Sequence, residues 1–338
     1  MKILLVVAND HSTFTKIDQN ILEQQYEVRD LIFRRKSLFE FFRSMLDSIS
    51  AVIWADVILA WFGSFHALVP FLLGRVLRKQ CVVVASGYDV AAVPEIDYGN
   101  MRPGLRRWIG LTVFRLSHLV LAVSQKAYDA ARQNAKVPES KLRLIYHGIP
   151  VPDSLKAVDF SAKTAQVLTL CFVKHANIKC KGLLTFIEAA RSIPDVPFIL
   201  AGTWVDDSIE ILRSIAPANV QFTGTIDGEE KFKLMRSTAV YVQLSTYESF
   251  GMALAEAMLA GCIPVATPNA ALPEVVGDTG YYAEYGDVQA TVDAIRAALT
   301  SDFAKGVSAR ERILQEFSLE RRSGALLRAL DELNLDQS

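Results

Sequence analysis

The stretch Ser245-Thr246-Tyr247-Glu248-Ser249-Phe250-Gly251-Met252-Ala253-Leu254-Ala255-Glu256-Ala257-Met258-Leu259-Ala260-Gly261-Cys262-Ile263-Pro264-Val265 decides the fold. It follows one apolar run, Val240–Leu244, and leads into another, Ile263–Ala266. Ser249 is a good N-cap, and Phe250 to Ala260 is a strong helix-forming run. Gly261 closes that helix, and Pro264 stands at the entry to the next strand. The segment reads as strand, helix, strand.

The same alternation extends in both directions. Strands are predicted at Ile3–Val7, Val57–Trp61, Cys81–Ala85, Leu119–Val123, Leu142–Tyr146, Leu168–Val173, Phe198–Ala201 and Val220–Thr223. Most are continuously apolar, as strands covered on both faces must be. Between them, segments such as Leu183–Ser192 place apolar residues at 183, 184, 186, 187 and 190, the spacing of an amphipathic helix. Strand and helix in alternation predict doubly wound parallel sheets. The turn formers and prolines of His147-Gly148-Ile149-Pro150-Val151-Pro152-Asp153-Ser154 break the pattern near its middle. The expectation is an α/β protein of two Rossmann-like domains, 1–153 and 154–315, facing a central cleft, with a last helical, charged stretch over 316–338.

The composition agrees. Of 338 residues, 51% are hydrophobic and 22% charged, enough apolar surface for two cores. The formal net charge of −1 gives no global reason to expect a nucleic-acid partner. Four cysteines without a CxxC pair read as buried thiols in a reducing, cytoplasmic setting. The apolar start reads as a first strand, not a leader, and no apolar run approaches the ~18–20 residues of a membrane span.

The helix beginning near Ser249 would present free backbone N–H groups and a partial positive charge beyond the sheet, which suits a diphosphate. Glu256 lies seven residues past Ser249, nearly on the same face and about 10 Å further along the axis. A carboxylate there accepts hydrogen bonds from vicinal hydroxyls such as those of ribose. A mid-helix Glu is ordinarily a solvated one. This one sits among Ala, Leu and Met on a helix with hardly another polar residue, so it needs a partner.

The spacing Glu248-x7-Glu256 with Ser249-Phe250-Gly251, followed by Glu-Ala-Met-x-Ala-Gly-x-x-Pro-Val, resembles the signature of the family 4 retaining glycosyltransferases, of the GT-B fold. Many members have one residue fewer between that Gly and Pro. Val123-Ser124, His147-Gly148-Ile149, Lys181-Gly182 and Leu200-Ala201-Gly202 fall in the family's order. The resemblance implies transfer of a sugar from a UDP- or GDP-linked donor to a glycan or lipid-linked acceptor. It assigns Glu248 to the transferred sugar, Glu256 to the ribose, and the amides at Phe250 and Gly251 to the diphosphate. The family also supplies an Arg and a Lys, the latter before a Gly. Lys181 falls on the Lys-Gly position, and Lys174 is the nearest cation to the Arg position, at longer spacing. No Asp-x-Asp motif occurs, so no metal is expected and cationic side chains would neutralise the leaving diphosphate. The usual proposal for the family is a front-face route in which that phosphate deprotonates the acceptor, so no nucleophile is named. Gly202, Gly224 and Thr225 are expected on the donor side, with Gly224-Thr225-Ile226-Asp227 as a wall for the base. By the same resemblance, the C-terminal helix crosses back to the first domain.

The first half departs from the family, whose opening Gly-Gly loop is replaced by Ala8-Asn9-Asp10-His11-Ser12-Thr13-Phe14-Thr15-Lys16. Ser12, Thr13 and Thr15 remain candidate donors there, while His11 and His66 are weaker candidates. Asp89, in Ser86-Gly87-Tyr88-Asp89, is expected to accept hydrogen bonds from sugar hydroxyls; the plainer alternative is a turn aspartate. Two stretches pair basic with apolar residues: Arg34-Arg35-Lys36 before Leu38–Leu46, and Phe65–Lys79. Either suits peripheral contact with the inner face of the cytoplasmic membrane, or ordinary packing with snorkelling cations. Other readings are a related epimerase or phosphorylase, and a degenerate protein that binds nucleotide-sugar or glycan without turnover. A dehydrogenase is disfavoured because no GxGxxG follows a strand.

Overall fold

The computed structural model describes residues 1–8, 12–33, 38–226 and 228–335, and leaves out the side chains of 38, 39, 41, 42 and 334. Asn9-Asp10-His11, Arg34-Arg35-Lys36 and Asp227 thus lie outside the described residues, as do the side chains of Leu38, Phe39, Phe41 and Phe42. The chain divides into two compact units, Met1–Gly148 with Leu319–Ser338, and Ile149–Ser318.

In the first unit β1 (Lys2–Ala8) leads to α1 (Thr13–Glu23), β2 (Glu27–Phe33) and α2 (Leu38–Trp54). Then come β3 (Val57–Trp61), α3 (Phe65–Val76), β4 (Gln80–Ala85), α4 (Leu105–Leu116), β5 (Leu119–Ala122), α5 (Gln125–Gln133) and β6 (Leu142–Leu144). The strands are parallel and ordered β2-β1-β3-β4-β5-β6. β3 and β4 are buried at every residue, which is why their sequences are unbroken apolar runs.

The second unit holds β7 (Thr164–Leu170), α6 (His175–Cys180), α7 (Leu183–Arg191), β8 (Phe198–Ala201), α8 (Ser208–Ile215), β9 (Val220–Gly224) and α9 (Gly228–Ser237). It continues through β10 (Thr238–Gln243), α10 (Met252–Leu259), β11 (Ile263–Ala266), α11 (Leu272–Val276), β12 (Tyr281–Tyr282), α12 (Val288–Thr300) and α13 (Ala304–Glu316). Its parallel order is β12-β11-β10-β7-β8-β9. The order reverses between β7 and β10, where Val167 pairs with Val240 and Leu168 with Tyr241. Ligands of open parallel sheets bind outside the carboxyl ends of the strands at such a reversal.

Two strands escape the sequence reading. β2 begins with Glu27-Val28-Arg29-Asp30, three of them charged, because it is an edge strand, half exposed. β12 is two residues long. β7 starts at Thr164, not Leu168, so the sheet opens on polar residues. The division between the units also falls elsewhere than the prolines suggest, after Gly148 and again before Leu319. There the two crossing segments run side by side: Ile149 bridges Ser318 in parallel, and its N–H donates to the Phe317 carbonyl at 2.8 Å.

The last helix, α14 (Leu319–Leu335), belongs to the first unit. Its Arg322 is buried and grips buried Asp18 of α1 with two hydrogen bonds, Nε to Oδ1 at 2.6 Å and Nη2 to Oδ2 at 2.7 Å. Nη1 donates to the carbonyls of Ile145 and Tyr146. All four cysteines are buried and free. Among the described residues no helix is long and apolar enough to cross a membrane.

Candidate functional site

The reversal between β7 and β10 brings Lys181 and Glu248 together. Lys181 is the C-cap of α6, in the turn before α7, and Glu248 sits in the loop after β10. The ammonium donates to Glu248 Oε1, and both side chains are largely buried. Gly182 permits this approach. It has φ +63°, and a Cβ there would lie 2.3 Å from the Leu244 carbonyl oxygen, so any side chain would push the lysine loop off the end of β10.

Glu248 Oε1 also accepts from Gln243 Nε2 at 2.8 Å and Ser245 Oγ at 3.1 Å. Gln243 Nε2 donates to Ser245 Oγ as well, while its Oε1 accepts from buried Tyr241. The bonds that Glu248 accepts all fall on one oxygen of its carboxylate; Oε2 makes none among the described residues. Burial opposes the charge on Lys181, but attraction to Glu248 and the hydrogen bond between them outweigh it, holding the ammonium above the ordinary lysine range.

Glu256 lies in the second turn of α10, 9% exposed, where the apolar sequence puts it. Its partner is Lys231 of α9, Nζ to Oε2 at 2.7 Å. The helix itself starts later than the sequence suggests. Gly251, at φ +98°, is the N-cap, and the first helical residue is Met252. Ser249 therefore caps nothing and Phe250 lies outside the helix, its buried ring packed against Phe317. The amides without intrahelical acceptors are those of 251–254, which include Gly251 but not Phe250.

The other candidates separate into two groups. In the second unit, Gly202 N donates to the Gly224 carbonyl at 2.9 Å, and Thr225 Oγ1 to Thr203 Oγ1 at 3.0 Å, so the loops after β8 and β9 are tied together. Trp204, 38% exposed beside Gly224, carries the Arg213 guanidinium 4.3 Å from its ring centroid. Lys174 is exposed at the N-cap of α6 and has no contact with Glu248 among the described residues. Next to it His175, Asp206 and Asp207 gather three potential metal-binding side chains, all exposed. Their contacts also serve the loop: His175 N donates to Asp206 Oδ2, and His175 Nε2 lies 3.0 Å from Asp207 Oδ1.

Asp89 is engaged by the protein's own backbone. It is fully buried, and its oxygens accept from Gly63 N at 2.8 Å and Ser86 N at 3.1 Å, clamping the loops after β3 and β4. Burial pushes its pKa up to about 6, against the pull of those N–H groups. His66 is likewise a core residue, its Nε2 2.7 Å from the Trp61 carbonyl. In the first loop, Thr15 Oγ1 donates to the Ser12 carbonyl and is spent on the first turn of α1.

The profile of the family described as Glycosyl transferases group 1 matches residues 167–301, the stretch that carries this site. The N-acetyl-alpha-D-glucosaminyl L-malate synthase of Bacillus anthracis is 35% identical over 284 residues, 79% of this chain and 72% of that protein. The chain belongs to the group 1 glycosyl transferases. A phosphatidyl-myo-inositol mannosyltransferase of Mycobacterium tuberculosis is 29% identical over 169 residues, 47% of this chain and 45% of its own length. Among solved structures, Anabaena Alr3699/HepE in complex with UDP and glucose superposes with a TM-score of 0.77 over 98% of this chain and all of that one, at 19% identity. That likeness shows the two-sheet fold expected of a GT-B protein.

For this glycosyltransferase the sequence reading left out Lys231, Gln243 and Ser245. Gln243 carried a legible signal, a polar residue ending an apolar strand, which a buried site explains. Lys231 carried none: on the charged segment Glu229-Glu230-Lys231-Phe232-Lys233 it looks like any surface lysine.

Proposed function

We propose that this glycosyltransferase is a retaining, metal-independent enzyme that moves a sugar from a UDP- or GDP-linked donor to a glycan or lipid-linked acceptor. The observation that carries the proposal is the Lys181–Glu248 pair at the sheet's reversal, one carboxylate oxygen saturated and the other open. Oε2 of Glu248 would accept from hydroxyls of the transferred sugar, and Glu256 from those of the ribose. The amides of 251–254 and the ammonium of Lys181, joined by Lys174, would take the diphosphate. As the bond from the anomeric carbon to the phosphate oxygen breaks, negative charge grows on the diphosphate, and fixed donors already in place stabilise it most. The acceptor oxygen bonds to the same face of that carbon, and its proton passes to the departing phosphate. The loops after β8 and β9, with Gly202, Gly224 and Thr225, would enclose the base. The second unit would hold the donor and the first the acceptor, on the inner face of the cytoplasmic membrane.

Thermal unfolding of the wild type and Glu256→Ala with UDP, GDP and ADP tests the site. A ligand bound only by the native state at about 100 times its Kd adds about 2.7 kcal/mol. One nucleotide should stabilise the wild type and not the variant. Labelled donor sugar and the anomeric configuration of the product then test transfer and retention. Stabilisation by none of the three nucleotides, or binding without turnover across an acceptor panel, would overturn the reading.

A further inference from the structure

The pairing of Lys181 with Glu248 depends on how a short turn of chain is held. Lys181 follows the six residues of α6 and precedes the left-handed Gly182, so no strand or long helix fixes it. One set of ties comes from the Glu248 loop itself. The Thr246 amide donates to the Cys180 carbonyl at 2.8 Å, and Gly182 lies close against the Leu244 carbonyl. Another tie comes from 106 residues further along the chain, where Tyr285 Oη donates to the Lys179 carbonyl at 2.6 Å. That carbonyl belongs to the last turn of α6, where helix acceptors lack the usual amide partner. Thr246 Oγ1 reaches the same oxygen only at 3.5 Å and Gly182 N at 3.2 Å, so the tyrosine makes the short bond.

The turn that carries Tyr285 is itself firmly placed. Asp287 N donates to the Glu284 carbonyl at 3.1 Å, closing a turn of Glu284-Tyr285-Gly286-Asp287. Gly286, third in that turn, has φ +82°, the value a type II turn requires there. Before it, Ala283 N donates to the Ala266 carbonyl at the end of β11 at 3.0 Å. After it, Asp287 caps α12, accepting from Ala290 N at 2.9 Å. The turn is thus fixed on the sheet at one end and on a helix at the other. A tyrosine capping a helix carbonyl ordinarily serves stability alone. Here the capped segment ends in the ammonium assigned to the diphosphate, so the same bond sets where that charge stands.

We propose that Tyr285 is a positioning residue: its hydroxyl, through the Lys179 carbonyl, holds Lys181 against Glu248 where the leaving diphosphate meets it. The inference rests on the diphosphate role given to Lys181 and adds the group that sets its geometry. Without that bond the turn after α6 loses its tie to the β12 side of the sheet.

Tyr285→Phe removes the hydroxyl and keeps the ring. Its effect on Lys181 is read without substrate, by acetylating the folded full chain with sulfo-N-hydroxysuccinimide acetate and following the Lys181 peptide by mass spectrometry. In the pair the ammonium is held above the ordinary lysine range, which keeps the reactive free amine scarce. In the variant Lys181 should be modified about threefold to tenfold faster, one hydrogen bond's worth of restraint, while exposed Lys136 of the first unit is unchanged. Release of nucleotide from UDP-glucose or GDP-mannose should lose about threefold to tenfold in kcat, with the Michaelis constant for the donor unchanged. In a Lys181→Met background the same substitution should slow turnover no further, since the residue it positions is gone. The melting temperature should fall by no more than about 4 °C and the nucleotide response should persist. Unchanged acetylation of Lys181 in Tyr285→Phe would overturn the inference. So would an equal fall in kcat on both backgrounds, which would make the hydroxyl act on its own, or loss of nucleotide stabilisation, which would make it part of the fold of the site. A Lys181→Met enzyme as fast as the wild type would instead sink the diphosphate reading, and the acetylation rate would still decide whether Tyr285 places the lysine.

Discussion

Replacing Lys181 with methionine keeps the length of the side chain and removes only the charge. Two losses follow, and they are separable. The first is stability. Breaking a buried pair costs about 3–5 kcal/mol because a carboxylate is left without its cation. Here the side chains keep 21% and 15% of their exposure, and Gln243 and Ser245 still donate to Oε1. About 1–3 kcal/mol is therefore expected, measured by urea unfolding of the two single variants and the double. Lys181→Met with Glu248→Gln should recover part of that loss, because no lone charge remains. The second loss is rate. A preorganised cation facing the departing diphosphate is worth about 10²–10³ in kcat. That loss should persist in the double variant, measured as donor turnover at saturating acceptor. Equal kcat in Glu248→Gln and the double variant would refute the reasoning, since Lys181 would then act only through Glu248. A Lys181→Met enzyme within threefold of wild type would refute it as well. The ammonium is held above the ordinary lysine range, so no limb of the pH–rate profile between about pH 6 and 9 should belong to it.

Lys231→Met should leave Glu256 buried without its cation, raising the Michaelis constant for the donor about tenfold or more with a smaller change in kcat. An unchanged Michaelis constant would count against Glu256 as the ribose ligand. Arg322→Met should destabilise the first unit by about 3–5 kcal/mol by stranding Asp18, and Asp18→Asn should restore part of it; calorimetry decides. Asp89→Asn turns an amide toward a backbone N–H and should cost about 1–3 kcal/mol. The folded pKa of Asp89, about 6, lies above its ordinary value of 3.8, so the stability it contributes is full below about pH 4 and fades as pH rises through 6. The wild type's margin over Asp89→Asn should thus shrink between pH 4 and 7, and a margin that grows would show that the amides, not burial, govern the group.

Much was legible in the chain alone, because alternating apolar strands and amphipathic helices are local patterns. Val57–Trp61, Phe198–Ala201 and Ile263–Ala266 read directly as strands, since full burial on both faces leaves no room for a polar residue. Glu256 stood out for the complementary reason, a charge where the helix is otherwise apolar. What depends on chains meeting across the sheet was not legible. The helix after Glu248 begins at Met252 and not at Phe250, because Phe250 is drawn into the core against Phe317 and local capping preference yields to that burial. Nothing near Asp89 along the chain announced that the loop after β3 brings the Gly63 amide to it. Lys231 reached Glu256 only when α9 packed beside α10, and nothing in its neighbours along the chain announced it. Sequence fixes what each segment prefers over a turn or a strand. Which charge meets which, and which oxygen stays open, is decided by the order of strands in the sheet, since that order sets neighbours far apart in the chain side by side.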